Sequence, residues 1–234
     1  MTPDEQKAAV GRAAVELVDA NTYVIGLGTG STAAHFTQAL PQHLARQGLS
    51  NRTFVATSEA TATLARSIGL RLTDLDDVGT IDLTVDGADE IGPDLALIKG
   101  AGGALLREKL VWEASRRCVV IADASKRVAM LGRLYPLPIE VVRFGHATTL
   151  RRIMGGLADC GVAATPRLRL AGDAPFVTDG GNYIYDAHCG AILDPVGVEA
   201  ALKSITGVVE HGLFLGLAGQ ALLGTDEGVV TLSR

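Results

Sequence analysis

The sequence predicts an α/β protein: a mostly parallel sheet with helices on both faces, plus a smaller α+β domain. Three observations carry that expectation. Short β-branched runs alternate with helical repeats from Tyr23 to Ser125, the pattern of strands joined by crossover helices. The turns richest in glycine, hydroxyls and charge follow the C-terminal ends of those strands, the end at which open α/β sheets bind ligands. After about Met130 the pattern changes to short strands, prolines and a glycine hairpin, which suits antiparallel pairs. The expected domains are 1–130 with 207–234, and 131–206.

In chain order, Thr2-Pro3 followed by Asp4 and Glu5 reads as a helix start, with a cap, proline in the first turn and acids at the positive dipole end. Val10, Ala13, Ala14, Leu17 and Val18 then recur at helical spacing. "YVIGLG" is a strand ending in glycines, and "STAAHFTQALPQHLARQG" a helix. "TFVAT" is a second strand; "SEATATLARSIG" is a helix capped by Ser58 and ended by Gly69. "IDLTVDGAD" is a third strand, "GALLREKLVWEAS" a helix and "CVVIADAS" a buried strand. Beyond these, "YPLPIEVV" is a strand between prolines and "HATTLRRIMGGLADCG" a helix. "RLRL", "FVTDGGNYIYDA" and "AILDPVGVEAALKSI" supply short strands, a hairpin and a helix. The strands of "GVVEHGLFLGLAGQALLGTDEGVVTLSR" are expected to return to the first domain.

Composition narrows the partners. A chain of 234 residues with 47% apolar residues can bury a sizeable core. A net charge of −5 gives no electrostatic footprint for nucleic acid or an anionic membrane. Arg116–Arg117 and Arg151–Arg152 read as solvated helix faces. Gly, Pro or charge breaks every apolar run before ~18 residues, so no membrane span is expected. The N-terminal stretch has early acids and no apolar core, so it does not read as a signal peptide. Cys118, Cys160 and Cys189 are odd in number and widely spaced, and read as reduced thiols in the cytoplasm.

Five motifs are candidates to carry chemistry. In "GLGTGSTA" (26–33), three glycines let the backbone approach an anion. The N–H groups of Thr29, Gly30, Ser31 and Thr32 and three hydroxyls supply donors. The dinucleotide fingerprint fails at its third glycine and no G-K-[ST] follows. A sugar phosphate is therefore the better ligand, with an unliganded βα turn the alternative. "TSEAT" (57–61) reads first as a helix cap. In "DGADE", Asp86 and Asp89 flank the small residues Gly87 and Ala88, so a turn can aim both carboxylates into one pocket. Paired carboxylates push their pKa values apart, which suits acid/base work; a magnesium site or a solvated turn are the alternatives. In "KGAGGALLREK", Lys99 precedes the turn Gly100, Ala101, Gly102, and Glu108 lies within the following helix. A protonated lysine can stabilise an oxyanion. Local sequence favours Glu108 as a solvated helical acid, with a carbon base as the alternative. Glu90, Asp94 and Lys109 read as solvated charges. Lys126 in "DASK" meets either a phosphate or water.

These pieces, with "VVIADASK", "TDGGNYIYD" and "VEHGLFLGLA", resemble in content and order the type A ribose-5-phosphate isomerases. The resemblance implies cofactor-free interconversion of D-ribose 5-phosphate and D-ribulose 5-phosphate in the pentose phosphate pathway. It implies a Rossmann-like domain, a smaller ferredoxin-like domain and a cytoplasmic homodimer or homotetramer. Carried over by motif, Glu108 is the proton-abstracting base and Asp86, Asp89 and Lys99 are its polar partners. Thr29, Gly30, Ser31, Thr32 and Lys126 hold the substrate, with the backbone of Gly87, Ala88, Gly100, Ala101 and Gly102 close to it. Ala101 departs from the glycine common in the family, so an ordinary backbone is expected there. Two other readings stand beside it. An amino-sugar phosphate deaminase or CoA-transferase on a similar fold lacks this motif order. A sugar-phosphate sensor would carry a DNA-binding segment, and none is visible in the sequence.

Overall fold

The computed structural model describes residues 1–234. The chain forms two compact units, one of residues 1–88, 107–126 and 216–234, the other of residues 89–106 and 127–215.

The first unit is built on a six-stranded sheet. Its order is Thr53–Ala56, Val24–Leu27, Leu83–Asp86, Cys118–Asp123, Gln220–Thr225 and Gly228–Ser233. The first five strands are parallel; the last is an antiparallel edge. From Val24–Leu27 the chain moves outward to Thr53–Ala56, then crosses back to Leu83–Asp86 on the other side. That reversal opens a crevice at the carboxyl ends of Val24–Leu27 and Leu83–Asp86, the switch point at which such sheets take ligands.

Both sheet faces are covered, as alternation along the strand requires. Phe54 joins a core with Val10 and Ala14 of helix Pro3–Ala14 and Phe36 and Leu40 of helix Ser31–Gln47. Its neighbour Val55 packs with Ile81 and with Val111 of helix Leu105–Glu113. The first helix starts as its sequence indicates: Thr2 caps it, Pro3 follows, and Glu5 completes a reciprocal capping box, a device worth about 1 kcal/mol.

The second unit contains a four-stranded antiparallel sheet in the order Val208–His211, Leu137–Val141, Tyr183–Ala187, Arg167–Leu168. Helices His146–Asp159 and Pro195–Lys203 complete a β-α-β-β-α-β run, the ferredoxin-like pattern. Its core gathers Ile139, Val141, Ile153, Leu157, Tyr185, Val198 and Leu202. A separate three-stranded antiparallel sheet joins Glu90–Ile91, Leu97–Ile98 and Leu213–Phe214.

The unit limits differ from the sequence expectation at residues 89–106, 127–130 and 207–215, which group with the second unit. Pairing explains it: Val208–His211 adds to the four-stranded sheet, and Leu213–Phe214 reaches back to Leu97–Ile98. Only the last two strands return to the large sheet. No helix is long and apolar enough to cross a membrane.

All three cysteines are free. Burial pushes the Cys118 thiol up to about 12 and the Cys189 thiol up to about 11, so neither forms thiolate near neutrality. In native protein at pH 8, Ellman's reagent is expected to titrate only the half-buried Cys160, and all three thiols after denaturation. Rapid reaction of a second native thiol would contradict the packing around Cys118 and Cys189.

Candidate active site

The first unit brings the glycine turn, Asp86 and the helix of Glu108 together at the carboxyl end of its sheet. Gly30 is the N-cap of helix Ser31–Gln47, with φ +106° and no side-chain cap. The first N–H groups of a long helix are thus left for solvent or a ligand, and the macrodipole adds partial positive charge. Gly30 and Ser31 are exposed and Thr32 is half-buried.

The Thr29 hydroxyl has a different setting. It lies 2.7 Å from the Thr57 hydroxyl, donates to Ser58 Oγ at 2.8 Å, and approaches Thr61 Oγ1 at 3.2 Å. Thr57 donates to the Leu27 carbonyl and Thr61 to that of Gly28, both at 3.0 Å. The network ties the second helix start to the glycine turn. Ser58 also caps helix Glu59–Ser67 by accepting from the Thr61 N–H, as the sequence favours.

Asp86 ends its strand fully buried. Its Oδ1 accepts from the Thr29 N–H at 3.0 Å and the Gly87 N–H at 2.7 Å; its Oδ2 accepts from the Trp112 indole at 3.2 Å. Charge-assisted bonds of this kind fix both position and rotamer. Trp112, the single tryptophan, belongs to none of the motifs. Its signal is spacing: it lies four residues after Glu108, so the two share a helix face. That face turns to Asp86. Glu108 is 4% exposed, so it is not the solvated acid that its local sequence suggests. Lys109 is also buried, a second correction: at about 100° per residue, Glu108, Lys109 and Trp112 fall on the covered side of the helix, while Leu110 and Glu113 face out. On the same helix Arg107 donates to Glu59 at 2.8 Å. Lys126 is half-buried in the turn Ala124–Lys126 after strand Cys118–Asp123, a turn pinned by Ser125 donating to buried Asp123.

The second unit holds Asp89, Lys99 and the turn after it. Lys99 is 2% exposed; its N–H donates to the Gly212 carbonyl at 2.9 Å, and its ammonium lies 5.5 Å from the Phe214 ring centroid. A buried ammonium over an aromatic face is partly compensated for lost hydration. Asp89 Oδ2 accepts from the Ala101 N–H at 2.8 Å. The backbone strain of the turn falls on Gly100 (φ +110°) and Gly103 (φ +79°), while Ala101 stays outside the positive-φ region, as its side chain requires. Arg169, which the sequence places only within a short strand run, donates to the carbonyls of Gly100 at 2.8 Å and Ala101 at 3.1 Å.

Glu90 corrects another expectation. It is fully buried and accepts from the backbone N–H groups of Gly132, Leu134 and Tyr135. It orders that segment rather than facing solvent; Asp94 alone of the three is exposed. No group of three or more His, Cys, Asp or Glu side chains is arranged to hold a metal ion.

Comparison with known proteins fits this arrangement. Residues 53–228 match the model of ribose 5-phosphate isomerase A (phosphoriboisomerase A). The chain is 62% identical over 232 residues to ribose-5-phosphate isomerase A of Caulobacter vibrioides strain NA1000 / CB15N, covering 99% of both chains. It is 50% identical to that of Parvibaculum lavamentivorans, covering 97% of both. Among solved structures, it is similar to ribose 5-phosphate isomerase from Plasmodium falciparum (TM-score 0.93, 36% identity, 99% of both chains). It is likewise similar to a D-ribose-5-phosphate isomerase in complex with phospho-erythronic acid (TM-score 0.92, 38% identity, 100% of both chains). With motif order, fold and relatives in agreement, the chain belongs to the ribose 5-phosphate isomerase A family.

Proposed function

We propose that this isomerase interconverts D-ribose 5-phosphate and D-ribulose 5-phosphate through an enediolate, with Glu108 as the base, in the non-oxidative pentose phosphate pathway. The observation that carries the reading is the burial of Glu108 on the helix face whose Trp112 bonds Asp86. A buried carboxylate beside fixed polar groups suits proton abstraction from carbon; a surface carboxylate does not.

The chemistry needs one proton moved between C2 and C1. Glu108 takes it from C2 of the opened aldose and returns it to C1. Charge then develops on the sugar oxygens, and Lys99 with neighbouring donors stabilises it. A donor of this type contributes ~3–4 kcal/mol to the barrier reduction, and the acid/base group roughly 10²–10⁴-fold in rate. Asp86 and Asp89 serve the hydroxyl protons, including the one moved on ring opening. The uncapped helix start at Gly30, Ser31 and Thr32, with Lys126, grips the phosphate and supplies binding energy remote from the reacting carbons. Within this grip Thr29 acts through its N–H and its hydroxyl network, which position the turn.

Incubation with ribose 5-phosphate in D₂O tests the route. Ribulose 5-phosphate carrying deuterium at C1 is the expected product. Turnover with no deuterium in product or recovered substrate would favour a direct hydride shift and count against the enediolate.

A further inference from the structure

We propose that Arg169, anchored by Asp186, is a positioning residue for the isomerisation. It orients two consecutive peptides so that the Gly102 N–H faces the oxyanion of the enediolate. This rests on the enediolate reading above.

The geometry is specific. Nη1 of Arg169 donates to the Gly100 carbonyl at 2.8 Å and to the Ala101 carbonyl at 3.1 Å. Nε and Nη2 form a two-pronged pair with Asp186, Nε at 2.8 Å, and the guanidinium carbon lies 5.8 Å from the Phe176 ring centroid. A planar fork held on one edge by a carboxylate presents its other edge in a fixed direction. The Arg169 side chain is only 14% exposed, so solvent competes little for these donors.

Peptide planarity then dictates the far side of the turn. In a trans peptide the carbonyl and the following N–H point opposite ways, and the chain has no cis peptide. With the Gly100 carbonyl on Arg169, the Ala101 N–H points away from it, where it donates to Asp89 Oδ2 at 2.8 Å. With the Ala101 carbonyl also on Arg169, the Gly102 N–H is sent to that same side. Gly102 is exposed and has no Cβ to hinder an approaching sugar. A cation at the carbonyl end also polarises each peptide and strengthens its N–H as a donor. The result is a preorganised donor next to Asp89 and three residues after Lys99, the kind of group that lowers a barrier by needing no reorganisation. A plain structural staple would make the same contacts but would affect only the amount of folded protein.

Phosphoerythronic acid separates the two, because its carboxylate carries charge where the enediolate does. Arg169→Gln, Arg169→Lys and Asp186→Asn are assayed with ribose 5-phosphate, rates being normalised to folded protein by circular dichroism. Arg169→Gln is expected to lower kcat on the order of 10²-fold with KM changed by at most about threefold. Affinity for phosphoerythronic acid should fall in parallel with kcat. Asp186→Asn should show the same pattern at smaller amplitude, and Arg169→Lys, which can reach one carbonyl, should recover part of the loss. If Arg169→Gln does not fold, the other two variants carry the same comparison. Normalised kcat and inhibitor affinity within about twofold of wild type would overturn the proposal, as would a fall in kcat with inhibitor affinity unchanged. Failure of the wild-type protein to turn over ribose 5-phosphate would instead overturn the isomerase reading.

Discussion

Glu108→Gln is expected to lower the rate of ribose 5-phosphate isomerisation by roughly 10²–10⁴-fold, the range over which a positioned acid/base group acts. The substitution keeps size and shape, which matters because Glu108 is buried in a helix whose Val111 and Trp112 are core residues. An amide there can still accept and donate hydrogen bonds, but it cannot take a proton from carbon. The loss should therefore appear in kcat, with KM little changed, because the interaction removed is made in the transition state. Thermal melting should show a folded protein. Wild-type turnover by this variant would end the assignment of Glu108 as base.

Gly28→Ala is expected to damage both stability and activity. A Cβ at Gly28 would stand 2.2 Å from Asp86 Oδ1, 2.3 Å from its Cγ and 2.4 Å from its Cα. Because the last of these is backbone, no rotamer change relieves the clash; two adjacent parallel strands must separate at their carboxyl ends. Overpacking of this kind costs about 1–3 kcal/mol, occasionally more. Moving Asp86 also stretches its bonds from Thr29, Gly87 and Trp112, and a misplacement near 1 Å can cost on the order of 10²-fold in rate. Gly30→Ala is the informative contrast. Nothing lies within 4 Å of a Cβ there, and only its φ of +106° opposes a side chain, so its loss of stability is strain alone, about 1–3 kcal/mol, with Asp86 left in place. Urea melts and kcat decide the matter for Gly28→Ala: wild-type stability and turnover would mean that a Cβ there does not displace Asp86.

Much of the fold is legible in the sequence because it is local. The cap at Thr2, the cap at Ser58 and the glycine turn before Ser31 each depend on neighbours within four residues. The strand and helix alternation of the large sheet likewise follows from period and burial. What escapes is non-local. Glu108 and Lys109 read as solvated because nothing in "REK" reveals what covers the helix. Glu90 reads as solvated because its three backbone donors come from residues 132–135, far along the chain. Arg169 and Trp112 carry no motif, and their roles exist only through contacts with residues 68 and 26 positions away in sequence. The family resemblance singles out Glu108 against the drift of its neighbours, since a motif preserves the outcome of packing that local sequence cannot express.

The order of the large sheet bears on how the chain is made. Its fifth strand, Gln220–Thr225, pairs with Cys118–Asp123, about a hundred positions earlier. During synthesis the whole ferredoxin-like run is translated between those two partners. Until the late strands emerge, Cys118–Asp123, buried at every position in the finished protein, has an apolar edge with unpaired backbone groups. Such an edge is a template for wrong pairing. Throughout the interval between translating residue 123 and residue 225 that edge of the sheet stands open. Antiparallel addition of Gly228–Ser233 then closes the sheet with an edge strand of its own.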